Sequence, residues 1–247
     1  MELRWIGFLA NGLATTLALI ALSSAATIVL AVPIAVGRLS ERRIVRGLTR
    51  AYVETFRSIP LPVLLAGLYF GLGPHFEKIG VSAFGLAVLG LVLNESAYLA
   101  EVYRSLIRSV RIGQWRAAAS LGLTRLQALR HVIIPQVTGP AAPQTANGII
   151  YIIKGSALAS LITVPELTMY ATRLVVETFQ PLQVYLLVAV FYLALTVPVA
   201  YLTRAVSRHR TGRRYRPRRR PAAGTAPAPD SRPTAPSREK AWTSTST

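Results

Sequence analysis

The chain has 247 residues, 52% of them hydrophobic and only 15% charged, with a mean hydropathy of +0.42. Soluble domains carry about 25% charged residues, so this composition points into a membrane. There is no cysteine, and His75, His131 and His209 lie far apart, which excludes disulfides, thiolate chemistry and a histidine metal site.

From Ile6 to Val36 no residue ionises. That run exceeds the roughly 20 apolar residues needed to cross a bilayer. No small-residue cleavage site closes it, so it reads as a retained first helix rather than a signal peptide. The apolar stretches in chain order lie near Gly12–Val36, Ser58–Leu72, Val81–Val102, Asn147–Val164 and Val184–Leu202. The second is short and interrupted by Pro60 and Pro62. The third contains Glu95 and Glu101, and the fourth contains Lys154. Such groups are tolerated at membrane depth where they face protein or a wet cavity, and a plain anchor has no use for them. Glu101 is expected to pair with Arg104 or Arg108, one and two turns along. Lys154 is expected to pair with a carboxylate between the third and fourth helices, and Glu54 with Arg57 three residues on.

The loops alternate in charge. The first carries Arg38, Arg42, Arg43, Arg46 and Arg50, and the second Lys78 alone. The third carries Arg104, Arg108, Arg111, Arg116, Arg125 and Arg130, and the fourth Arg173. Basic residues gather on the cytoplasmic side. The pattern therefore predicts an all-α integral membrane protein of five helices, with its N-terminus outside and its C-terminus in the cytoplasm.

Formal net charge is +18, but its distribution argues against nucleic acid. From Arg204 onward twelve basic residues stand against Asp230 and Glu239, a surplus of ten. Only Tyr215 is interleaved among its arginines, too little to stack on successive bases. This Arg-, Pro- and Ala-rich stretch cannot bury enough surface to offset its ordering entropy. The expected organisation is a transmembrane domain over residues 1–207, with a cytoplasmic loop near 104–136, and a disordered basic tail over 208–247. The basic cluster beside the last helix suits anionic lipid headgroups.

The loop between the third and fourth helices carries the most information. Gln114 to Leu121 is a run of strong helix formers. Gly122 supplies a left-handed C-terminal cap. Thr124 and Gln127 form a capping box that starts a second helix. Leu126, Leu129, Val132 and Ile133 give that helix an apolar face, and Pro135 ends it. A helix–turn–helix with a small, alanine-rich tip is expected to fit a groove on another protein.

This stretch, Gly113-Gln114-Trp115-Arg116-Ala117-Ala118-Ala119-Ser120-Leu121-Gly122 with Ile134-Pro135 downstream, resembles the "EAA" loop of ATP-binding-cassette importer permeases, in the branch that takes up polar amino acids. The resemblance covers most of residues 9–207. Its other pieces are Gly12, Thr16 and Leu17; Tyr52-Val53-Glu54 through Arg57-Ser58-Ile59-Pro60-Leu61; Asn94, then Ala97-Tyr98-Leu99-Ala100-Glu101 and Arg104. Pro135-Gln136, Pro143, Asn147, Lys154-Gly155-Ser156-Ala157-Leu158 and Glu166-Leu167 complete the ordered set.

The resemblance implies a five-helix permease subunit in a bacterial plasma membrane, paired with a second permease copy or homologue. It also implies an ATPase subunit and an extracytoplasmic solute-binding protein. The chain would be a conduit and not an enzyme. It has no phosphate-binding loop, so ATP would sit on the partner and no cofactor on this chain. Gly113, Gln114, Arg116, Ala117, Ala118, Leu121 and Gly122 would couple it to the ATPase. The family's motif glutamate is Arg116 here, which puts that contact in doubt: the partner has compensated, the position is peripheral, or coupling is weak. Ser156 and Ala157 also depart from the usual Thr-Ser pair.

Glu95 stands where the family often has a small hydroxylated residue. It is expected to line the translocation path and attract a cationic or ammonium group of the substrate, with Tyr98, Lys154 and Ser156 as further path candidates. Other readings are an importer for an osmolyte, opine or other nitrogenous solute, and an ion-gradient-driven transporter. The latter lacks the internal inverted repeat common in such folds. A membrane-anchored interaction protein would leave the intramembrane charges and the 113–136 segment without a purpose.

Overall fold

The computed structural model describes residues 2–211 apart from Ile79. In chain order the helices are α1 (Glu2–Gly37), α2 (Arg43–Ser58), α3 (Leu61–Ala66) and α4 (Gly73–Glu77), the last two joined by a π turn, Gly67–Leu72. Then come α5 (Ala83–Ser109), α6 (Ile112–Ser120), α7 (Arg125–Ala128), a π turn (Leu129–Ile133) and α8 (Ile134–Ser156). A 3-10 turn (Ala157–Ile162), α9 (Leu167–Thr178) and α10 (Pro181–Thr211) complete the described chain. Of the tail expected over 208–247, residues 212–247 lie outside the described residues, and α10 runs four residues past the expected boundary at 207.

Among the described residues, four continuous helical stretches are long and apolar enough to cross a membrane: Arg4–Gly37, Ala83–Ser109, Arg125–Ile162 and Pro181–Tyr201. A fifth crossing forms if Arg43–Ser58 and Leu61–His75 act as one span, bent by 104°. The bend has a local cause. Pro60 lacks an N–H and drives the residue before it out of the helical region, and Ile59 is extended at φ −85, ψ 123. The carbonyls freed by the break are taken up from α5, where Asn94 Nδ2 donates to Phe56 O at 2.8 Å and Ile59 O at 3.4 Å.

The fourth crossing differs from expectation. Pro135 does not end a helix. It lies in the first turn of α8, where a missing N–H is tolerated, and the preceding π turn supplies the break in bonding that its ring needs. The helix then runs through Pro140 and Pro143 and begins well before the expected Asn147. Prolines are admitted in a spanning helix when its neighbours support it.

α1 and α5 form the centre of the bundle. Leu19 packs with Leu61, Leu65, Ala87 and Leu91. Ala31, Ile34 and Ala35 pack with Val53, Leu99 and Ala100. In lipid, helices associate through close packing rather than hydrophobic burial, which explains the alanines on both sides. Gly12 lies close against neighbouring backbone: a Cβ there would lie 2.7 Å from the Tyr170 ring and 2.9 Å from the Glu166 carbonyl. Just below it, the Thr16 hydroxyl donates to Gly12 O at 3.1 Å and accepts from Leu167 N–H at 3.0 Å. Glu166 caps α9 by accepting from Met169 N–H at 2.9 Å, and Tyr192 donates to its other oxygen at 3.1 Å. Orphan donors of a helix start are thereby satisfied. Burial raises the Glu166 carboxyl above its ordinary range, and these hydrogen bonds only partly offset that rise.

At the opposite end Glu101 accepts from Arg104 Nε at 3.0 Å, as expected, and also from Nη2 of Arg38, the residue after α1, at 3.0 Å. Arg125 pairs with Glu41 and donates to Leu39 O at 3.4 Å. The α1–α2 junction and the α6–α8 segment therefore share one end of the bundle.

Candidate functional site

The projecting helix pair is assembled from local signals. α6 starts two residues before the expected Gln114 and ends at Ser120. Gly122 turns left-handed at φ +73, a conformation that costs a residue with a Cβ about 1–2 kcal/mol. Its N–H reaches Ala119 O at 3.0 Å, and Leu123 N–H reaches Ala118 O at 3.2 Å. Thr124 and Gln127 form the reciprocal cap: Gln127 Oε1 accepts from Thr124 N–H at 2.9 Å and Thr124 Oγ1 from Gln127 N–H at 3.4 Å. Leu129 and Ile133 bury against Ile107 and Val137, with Trp115 alongside, and so fix the pair to the bundle.

Six of the seven candidate residues here are exposed: Gly113, Gln114, Arg116, Ala117, Leu121 and Gly122. Gln114 accepts from Gln136 Nε2 at 3.3 Å, which ties α6 to α8. Ala118 is the exception. It is 2% exposed and points into the base of the pair, so it cannot sit on an outer contact surface. Leu126, expected on the buried face, is 69% exposed instead and joins Ile112 and Leu121 as an outward apolar group. Arg116 is exposed and its side chain has no ion-pair partner among the described residues.

The second candidate region lies at membrane depth, where α2, α5 and α8 meet. Glu95 is 6% exposed, with its carboxylate against Gly148 of α8, where a Cβ would lie 2.8 Å from Oε1. One turn along α5, Tyr98 is exposed and donates to Arg57 O at 3.0 Å. The Arg57 guanidinium lies over the Tyr98 ring at 5.0 Å, and the Tyr151 ring is 6.3 Å from it. Lys154, one turn on from Tyr151, is exposed too.

Three expectations are corrected at this site. Lys154 makes no ion pair among the described residues, because its side of α8 faces outward. Glu54 pairs with Arg50 at 2.6 Å rather than with Arg57, which is held over Tyr98. Ser156 is fully buried, with its hydroxyl on Ile153 O at 2.8 Å, and does not reach the exposed group. Tyr151 and Gly148 went unread in the sequence. The available signal was the three-residue spacing of Gly148, Tyr151 and Lys154, which puts them on one side of α8. The structure brings Arg57, Tyr98 and Tyr151 together on an exposed side of the bundle, while Glu95 is buried against Gly148 and Lys154 stands one turn beyond Tyr151 on α8.

A bundle of membrane-crossing helices with a rigid helix pair at one end and a polar, charged surface at bilayer depth defines a solute-translocating membrane subunit. Residues 23–212 match the family described as the binding-protein-dependent transport system inner membrane component. The chain belongs to that family, and is a multi-pass inner-membrane permease. It is 38% identical over 190 residues to the probable amino-acid ABC transporter permease protein YckA of Bacillus subtilis, covering 76% of this chain and 82% of that protein. It is 35% identical over 198 residues to the nopaline transport system permease protein NocM of Agrobacterium fabrum, covering 76% and 81%. With the glutamine transport system permease protein GlnP of Escherichia coli it shares 32% identity over 157 residues, covering 64% and 72%. Its fold matches the crystal structure of an amino acid ABC transporter with histidines, at a TM-score of 0.77 and 31% identity over 84% of this chain and 96% of that one. The inward-facing MetNI methionine ABC transporter has the same fold, at a TM-score of 0.72 and 19% identity over 85% and 99%.

Proposed function

We propose that this chain is the permease of an ATP-driven importer of polar amino acids, working with a separate ATPase subunit, a second permease and a solute-binding protein. The observation that carries the reading is α6. It is a short helix with a glycine cap, backed by an apolar base and exposing Arg116, Ala117 and Leu121 where a groove could receive them. Motion of the receiving subunit would pass through Trp115, Leu129 and Ile133 to Ile107 of α5, and so to the helix that bears Glu95 and Tyr98. The end carrying α6 is then cytoplasmic, in keeping with its arginines.

The substrate class is supported by relatives that carry amino acids or glutamine in their names. The site chemistry agrees. Glu95 would draw the ammonium group, and Arg57 and Lys154 the carboxylate, with Tyr98 and Tyr151 beside Arg57. An opine is a second reading, favoured by the nopaline relative; an opine is itself an amino-acid derivative and would use the same groups. The chain has no cysteine, so Ala117→Cys gives a single exposed reporter on α6. With the ATPase co-expressed, it is expected to cross-link to that subunit in a nucleotide-dependent way. No cross-link from Ala117, Arg116 or Leu121 to any ATPase would remove the proposal.

A further inference from the structure

Two cavities adjoin at the end of the bundle that carries α6. One is a slot of about 410 Å³ between α1, α5 and α8, lined by Val32, Val36, Tyr103, Ile107, Ala142 and Thr145 among others. Its walls belong to three membrane-crossing helices and are almost wholly apolar. The other is a groove of about 1230 Å³ outside it, at the α1–α2 junction, lined by Arg38, Arg42, Arg46, Arg108 and Arg125. Val36 and Ile107 line both, so the slot and the groove lie side by side.

The groove is cationic beyond its internal needs. Its acidic residue, Glu41, is taken by Arg125. Arg46 reaches only the Ser40 carbonyl, at 2.9 Å, and the guanidinium of Arg42 finds no acceptor among the described residues. Arg38 is the most telling. Its side chain is 13% exposed and its Nη2 holds Glu101, but its buried Nη1 has no hydrogen-bond acceptor among the described residues. A buried donor left unpaired is costly, and such groups call for an explanation.

We propose that the two cavities together hold one anionic phospholipid, with an acyl chain in the slot and the phosphate at Arg38, Arg42 and Arg46. A soluble anion would satisfy the arginines but leave the apolar slot unused. A zwitterionic lipid would fill the slot but leave the excess positive charge unmatched. Basic pockets between spanning helices at the headgroup level are suited to acidic lipid heads. Trp115, Ala119 and Leu123 of the helix pair line the same groove, so the bound lipid is a structural part of the α6 base. The inference needs only the inner-membrane location and does not depend on the transported solute.

The test uses the full-length permease in phosphatidylcholine nanodiscs containing a trace of phosphatidylglycerol with a photoreactive diazirine in its acyl chain. Labelling is expected on α5 near Tyr103–Ile107 and on α8 near Val137–Ile149, and not from a phosphatidylcholine probe. Removing a basic residue from a headgroup contact lowers affinity about fivefold. Arg42→Gln with Arg46→Gln, both exposed and so harmless to folding, is expected to cut labelling roughly 25-fold. Ala142→Phe, which fills the slot, is expected to abolish it. Equal labelling by the two probes would overturn the proposal. So would phosphatidylglycerol labelling elsewhere in the chain, or a slot closed to lipid by a second permease copy.

Discussion

The α6–α7 pair and the group around Glu95 are held together over very different distances in the chain. The bonds that make the turn between them, from Leu123 on Ala118 to Thr124 on Gln127, join residues at most five apart. Arg57, Tyr98 and Tyr151 come from three helices and meet only because α2, α5 and α8 pack. The pair should therefore tolerate change elsewhere in the bundle and fail by local loosening. The membrane-depth group should fail whenever helix spacing changes, even from a distance.

The largest expected effect tests that dependence on spacing. Gly12→Val places side-chain atoms within the contact of Tyr170 and the Glu166 backbone, and overpacking of this kind costs up to about 3 kcal/mol. Thermal unfolding of the purified permease in detergent should show a lowered transition. An unchanged transition would mean that α1 and α9 are not held as closely as they are here. Next comes Glu95→Gln. It keeps the size of the side chain and removes its carboxyl; if that group meets the substrate's ammonium, a contact worth about 1.5–3 kcal/mol is lost, and uptake affinity for the amino-acid substrate should fall at least about tenfold. Unchanged affinity and selectivity would exclude Glu95 from the path. Cross-linking through Ala117→Cys should be unaffected by the same change, which keeps the two regions separable.

On the other side of the comparison, Gly122→Ala should cost about 1–2 kcal/mol by forcing a Cβ into the left-handed region, and Thr124→Ala about 1 kcal/mol as a lost cap. Both should raise hydrogen exchange across residues 112–128 and weaken the cross-link while substrate affinity stays constant. A change in affinity of similar size would show that the two regions are not independent. The smallest expected effect is Arg57→Ala. Loss of its contact with Tyr98 removes about 0.5–1 kcal/mol and should raise the concentration for half-maximal uptake about threefold.

The same difference in range explains what could be read from the sequence. Gly122 and the Thr124–Gln127 box act through adjacent residues and emerged in place. So did the Glu101–Arg104 pair, one turn apart. The break at Pro60 was visible because proline acts on its own neighbours, but the 104° bend depends on Asn94 reaching across from α5. Pro135 suggested a helix end where α8 in fact starts and runs on through Pro140 and Pro143, since local propensity cannot register the support of neighbouring helices. Lys154 was expected to find a carboxylate at its depth, but which face of α8 points outward is decided by packing. Ala118 lay in the right motif but faces inward, a distinction that only the apolar base around Ile133 creates.

ATP-driven uptake through this chain is what every role proposed for its residues requires. The direct test is to reconstitute the permease with its ATPase and binding protein in vesicles and follow labelled amino acids. The expected result is accumulation of a polar amino acid that requires ATP, the binding protein and an intact α6, and persists when ion gradients are collapsed. Amino-acid accumulation driven by an ion gradient without ATP, or no accumulation of any amino acid in vesicles whose ATPase responds to the binding protein, would contradict it.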